Sequence, residues 1–310
     1  MKKKQLKHLI AVAAGQAPAD LRITNCHVLD VFNKEFFEGD ILIAEGRIAS
    51  LDGKNLPEAA ETLDGEGCYL VPGFIDGHAH IESSHVSPPE FSSLVVPRGT
   101  TTVIADPHEI VNVCGLDGFD YMLWASEGLP LSVFLQIPSC VPCSPFEDSG
   151  AELDAGDIAA RMKHPRVLGL GEMMDFPGVC AGNDEVLDKI MAAKDQGKVI
   201  DGHYLGSEEL LDAYCTTGVL TDHESSAGNE LRSKVRRGVY VLMRQGTACH
   251  DLLNLVGGVD AKNADRIMMC TDDCAAGTIL AYGHIDHNVR LAIGAGIDPV
   301  DANISINNIK

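Results

Sequence analysis

From residue 69 onward, short apolar runs of strand length alternate with longer helix-like segments. The runs fall at 69–75, 101–105, 131–137, 167–171, 198–202, 219–221, 239–243 and 266–270. Helix-like segments lie among them at 89–97, 116–127, 184–196, 207–217, 228–237 and 248–256, with a last one at 284–296. Strands that alternate with helices pair in parallel, and a run of eight such units closes on itself. The sequence therefore predicts an α/β fold, a (β/α)8 TIM-type barrel, over residues 68–300.

In such a barrel the chemistry gathers at the C-terminal strand ends. Strand one ends in Asp76-Gly77-His78-Ala79-His80-Ile81-Glu82, strand two in Asp106-Pro107-His108-Glu109 and strand four in Gly171-Glu172. Strand five ends in Asp201-Gly202-His203, strand six in Thr221-Asp222-His223-Glu224, and strand eight in Thr271-Asp272-Asp273. In extended backbone His78 and His80 point to one side, as two ligands of one divalent ion would. A single His-x-His is equally well satisfied by hydrogen bonds. Six strand ends supplying metal-ligand residue types point to a metal site.

Residues 1–67 have a different rhythm. Leu6, Leu9, Ile10 and Ala13 fall on one helical face, so the start reads as an amphipathic helix rather than a secretory signal. Residues 21–51 alternate apolar and polar, with turns at Asn33-Lys34 and Glu45-Gly46, which makes a small antiparallel β unit. Residues 57–67 are polar and loop-like. The expected division is 1–67 for helix and β subdomain, 68–300 for the barrel and 301–310 for a short tail.

A net charge of -21 and a pI near 4.8 argue against a nucleic-acid surface, which needs clustered Lys and Arg, and against an anionic membrane surface. No run reaches the ~18 apolar residues that span a bilayer. The ten cysteines lack the dense spacing of a disulfide scaffold and read as reduced thiols of a cytosolic protein. Cys140-Val141-Pro142-Cys143 has no second pair at zinc-site spacing and reads as a loop coincidence.

Four stretches carry a resemblance: 72–84 (Pro-Gly-Phe-Ile-Asp-Gly-His-Ala-His-Ile-Glu-Ser-Ser), 97–110, 169–174 (Gly-Leu-Gly-Glu-Met-Met) and 222–224 (Asp-His-Glu). Together they resemble the amidohydrolase superfamily and, within it, the adenine deaminases. The resemblance implies two divalent metal ions, manganese or iron, with zinc compatible with the same donors. It places His78, His80 and Asp272 on one ion, His203 and His223 on the other, and Glu172 between them. A small β-sandwich-like N-terminal subdomain is implied, incomplete here because the family continues beyond the barrel.

The implied reaction is hydrolytic deamination of adenine to hypoxanthine and ammonia, with a metal-bridging hydroxide attacking C6, as part of purine salvage in the cytoplasm. Asp272 would carry the water proton to the leaving ammonia, and Glu82 would protonate ring N1. His108, Asp106 and Asp273 would contact the base or the intermediate. Three of these residues have a structural alternative: Glu82 could cap the following helix, Asp106 could start the turn that Pro107 fixes, and Asp273 could be an N-cap. The resemblance also implies a homo-oligomer with a small-molecule substrate. Two other functions stay open: another amidohydrolase acting on a cyclic amide or aminopurine, and a catalytically silent metal-binding paralogue.

Overall fold

The computed structural model describes residues 1–51, 59–144 and 146–305. The chain divides into two compact units, Met1–Pro72 and Gly73–Lys310.

In the first unit a helix, Lys3–Ala13, precedes a five-stranded sheet of β1 (Leu21–Asp30), β2 (Glu35–Ala44), β3 (Arg47–Ser50), β4 (Glu61–Asp64) and β5 (Tyr69–Leu70). The order is β3-β2-β1-β4, with β1–β2 and β2–β3 antiparallel. β4 and β5 both lie parallel to β1. Two expectations change here. The polar 57–67 stretch contains β4 (Pro57 and Glu58 lie outside the described residues), and Tyr69–Leu70 joins this sheet rather than the first barrel strand. The helix buries Val12 against Ala19, Leu42 and Ala44, with Leu9 beside them. Leu6 and Ile10 stay exposed, because the inward face is set by the bonds of Gln5 and His8 to Glu45.

The second unit is the barrel. Its strands are β6 (Phe74–His80), β7 (Thr100–Ala105), β8 (Ser132–Ile137), β9 (Val167–Met173), β10 (Val199–Gly202), β11 (Thr221–Asp222), β12 (Tyr240–Arg244), β13 (Ile267–Cys270) and β14 (Asp272–Asp273). All neighbouring pairs are parallel. β13 and β14 are two halves of one strand interrupted at Thr271. The first half pairs with β12 and the second with β6, so eight strands close the ring. Residues expected as tail, 301–305, belong to the helix Pro299–Ser305, and 306–310 lie outside the described residues.

Helices cover the outside. One core cluster joins Val103, Leu135, Val167 and Leu170 of the strands to Phe119, Ile158 and Ile190 of the helices. Another joins Val241, Met243, Ile267 and Met269 to Leu231 and Ile285. Two glycines on β9 are demanded by close approach. A Cβ at Gly169 would lie 2.2 Å from Val199 O, and one at Gly171 would lie 2.2 Å from Asp106 Oδ2. The second contact lets β9 run close enough to Asp106 to aim Glu172. None of the described helices is long and apolar enough to cross a membrane.

Candidate metal centre

One cavity, about 590 Å3, is inside the barrel and lined by groups such as Ile104, Phe134, Leu168 and Met268, with no acid, histidine or basic residue. The ionisable groups gather instead around a cavity of about 400 Å3 lined by His80, His108, Glu172, His203, Asp272 and Asp273, among others.

Two triads form beside it. Donor atoms of His78, His80 and Asp272 all lie within 4.8 Å of one another, and so do those of Glu172, His203 and His223. Glu172 faces both. Its Oε1 is 3.4 Å from His80 Nε2, and its Oε2 is 2.6 Å from His203 Nδ1 and 3.1 Å from His223 Nε2. The rings of His78 and His223 stack at 3.9 Å between centroids, which holds the triads side by side.

The orientation of the strand-one histidines decides what can bind. His78 Nδ1 donates to Asp201 Oδ2 at 2.9 Å, and His80 Nδ1 donates to the carbonyl oxygen of Asp106 at 2.8 Å. Each neutral ring then presents a lone pair at Nε2. Those two Nε2 atoms face each other at 3.2 Å, with Asp272 Oδ1 3.5 Å from the second. Converging acceptors in a buried place call for positive charge, a proton or a metal ion. Burial alone would depress His80, but the carboxylate of Glu172 prevails and raises it to about 9. Burial would likewise raise Glu172, yet the imidazoles of His203 and His223 hold it well below the usual carboxylate range. The donor set of imidazole nitrogens and carboxylate oxygens fits two divalent cations sharing Glu172.

Asp272 and Asp273 both line the cavity, against the alternation expected of adjacent strand residues. Asp272 has φ +55°, which breaks the alternation at the start of β14. Ser83 donates to Asp273. His108 lies on the cavity wall with its Nδ1 2.7 Å from Asp106 Oδ1. Asp106 is fully buried and does not line the cavity; its Oδ2 accepts the backbone N–H of Glu172 at 2.9 Å. Glu82 does not line the cavity either. Its Oε1 accepts from Ile110 N, and its neighbour Glu109 is on the wall. Burial, reinforced by the charge of Glu109, pushes Glu82 up to about 7.

Three groups that the sequence reading left without a role belong to this site. Asp201 orients His78, Glu224 lies 3.5 Å from His203 Nε2, and Arg244 binds both Glu224 and Asp272. Asp201 and Glu224 stand inside strand-end motifs already marked by their histidines, and Arg244 is the last residue of a barrel strand. That position was the available signal. Cys140 and Cys143, set aside as a loop coincidence, also line the cavity.

Known proteins agree with this architecture. The chain is 50% identical to "Adenine deaminase 2" of Desulfotalea psychrophila over 97% of its own length and 52% of that protein's. It is 51% identical to an adenine deaminase of Nitratidesulfovibrio vulgaris over 96% of its length and 51% of the relative's. The chain thus spans about half the length of these relatives. Among solved structures, a beta-aspartyl dipeptidase from Fervidobacterium islandicum AW-1 superposes with TM-score 0.64 at 17% identity, covering 94% of this chain and 86% of that one. A dihydroorotase gives 0.63 at 14%, over 92% and 80%; both likenesses concern the fold. The family described as "Amidohydrolase family" matches residues 69–308, the whole barrel with its strand-end histidines and acids, and to that family this chain belongs.

Proposed function

We propose that the chain carries the catalytic barrel of an adenine deaminase, releasing ammonia from C6 of adenine by hydrolysis, with a cytoplasmic location, a small-molecule substrate and a homo-oligomeric state. The observation that carries the reading is Glu172, whose two oxygens face two separate His-rich triads. The names of the roughly half-identical relatives supply the substrate.

His78, His80 and Asp272 would hold one ion, and His203 and His223 the other, with Glu172 shared. This mixed N/O set is compatible with manganese, ferrous iron or zinc, and the family resemblance favours the first two. When bound, the ions supply hydroxide at neutral pH by lowering the pKa of water from about 15.7 toward about 7.

The chain's own groups do the rest. Asp272, lining the cavity, takes a proton from the attacking water and delivers it to the departing ammonia. The His78, His80 and His223 imidazoles oppose the effect of burial and hold Asp272 below the usual carboxylate range, so it begins as a base. Glu82, lifted to about 7 by burial and the charge of Glu109, serves as the proton source for ring N1, and the proton lost by the added C6 hydroxyl as the carbonyl forms restores it. His108 and Asp273, both on the cavity wall, orient the base, and Asp106 acts through His108.

The test is metal content and adenine-dependent ammonia release on one sample after loading with manganese or ferrous iron. About two ions per chain with turnover, both lost in His203→Ala, establish the reading. Metal without turnover on adenine moves the assignment to another amidohydrolase substrate or to a silent metal-binding role. A folded protein that takes up no metal overturns it.

A further inference from the structure

Arg244 sits at the end of β12 with one guanidinium surrounded by three carboxylates, its side chain only 11% exposed. Its Nε donates to Asp251 Oδ2 at 2.7 Å and its Nη2 to Glu224 Oε2 at 2.8 Å, while Nη1 donates to Glu224 Oε1 and, at 2.9 Å, to Asp272 Oδ2. Asp272 therefore has divided oxygens: Oδ2 is held by Arg244, and Oδ1 is turned toward His80 Nε2 at 3.5 Å. Glu224, gripped at both oxygens, lies 3.5 Å from His203 Nε2 and 3.8 Å from His223 Nε2. One planar cation thus fixes a carboxylate at each triad.

We propose that Arg244 is a positioning residue that presents Asp272 to the metal centre through Oδ1 alone and locks Glu224 beside His203. A lysine cannot replace it, because a single ammonium lacks the fork needed to hold both oxygens of Glu224 and Asp272 together. The inference rests on the deaminase reading only for its turnover arm; its metal arm stands on the geometry.

The test uses the 310-residue chain with Arg244→Lys and Asp251→Asn. The second variant weakens the anchor at Nε and leaves Asp272 and Glu224 untouched, so it reports even where the first folds poorly. Each protein is loaded with Mn(II), and the ions per chain, their affinity and the EPR spectrum of the manganese pair are measured before adenine turnover. Arg244→Lys is expected to lose about 10–100-fold in manganese affinity or in kcat with KM nearly unchanged, and to change the spectrum. Asp251→Asn should shift the same readouts less. Unchanged affinity, spectrum and kcat in both variants overturn the proposal. So does a rise in KM alone, which would make Arg244 a substrate contact. If the parent chain holds two ions and does not turn over adenine, the deaminase reading fails, and affinity and spectrum still decide the role of Arg244.

Discussion

Asp201 accepts the Nδ1 proton of His78 at 2.9 Å with both side chains essentially fully buried, so the neutral ring has one tautomer, with its lone pair at Nε2. A carboxylate on the far side of a ligating imidazole fixes orientation and raises basicity. Asp201 also accepts from Thr221, which ties its position to the neighbouring strand. In Asp201→Asn the amide can turn its NH2 toward Nδ1, moving the ring proton to Nε2 and opposing a metal. The expected loss is about 10–100-fold in metal affinity, read by competition with a chelating dye, with the circular dichroism spectrum unchanged. Unaltered affinity would show that Asp201 does not set the tautomer.

Metal uptake should release protons. In the metal-free chain the carboxylate of Glu172, acting against burial, raises His80 to about 9, so the ring is protonated at pH 7 and must give up that proton to ligate. Affinity should therefore rise from pH 6 toward pH 9. Calorimetry of manganese binding in buffers of different ionisation enthalpy measures the protons released, and a value near zero at pH 7 refutes the assignment. Ions that bind only the folded chain also stabilise it, by about 2.7 kcal/mol per site at 100 times Kd, so chelation should lower Tm.

How far the sequence foretold this molecule depends on the kind of signal. The barrel was legible because each buried strand is a short apolar run bounded by helix signals, and seven of the eight expected runs match their observed strands to within two residues at most boundaries. The exception is the first. Tyr69–Leu70 and Phe74–His80 are both strand-like, and only pairing, the former with β1 and the latter with β7, separates them. β4 was missed because all four of its residues are exposed, leaving no alternation to read. At the site, histidines at strand ends announce themselves. Asp201 and Arg244 do not, since what matters about them is a partner far away in sequence. The shared orientation of Asp272 and Asp273 depends on a positive φ that no residue type near it requires.

Lys234 is a buried cation, 5% exposed at its side chain, that donates to Asp222, the residue before His223. It also donates to the carbonyl oxygen of Tyr204 at 3.3 Å, next to His203, and Asp222 accepts the N–H groups of Tyr204 and Glu224. The two strand ends that carry the histidines of the second triad hang on this pair. Removing one partner of a buried ion pair costs about 3–5 kcal/mol, because the other charge is left alone. Lys234→Ala should lower unfolding free energy by that order in urea, and Lys234→Met with Asp222→Asn should recover part of it. No recovery in the double variant would mean that the lysine acts through its packing rather than its charge.

Burial, and then the charge of Glu109, lifts Glu82 to about 7, so it is mostly protonated below neutrality and ionised above. An acid that must enter the reaction protonated gives kcat/KM that is flat below its pKa and falls tenfold per pH unit above it. The metal-loaded chain should therefore lose kcat/KM for adenine as pH rises through about 7. Glu109→Gln removes the neighbouring charge, so it should move that fall to lower pH. Glu82→Gln, which cannot ionise, should abolish this limb and lower the plateau by about 10²–10⁴-fold. A descending limb that survives in Glu82→Gln would assign the proton to a group on the cavity wall instead, with His108 next to be tested.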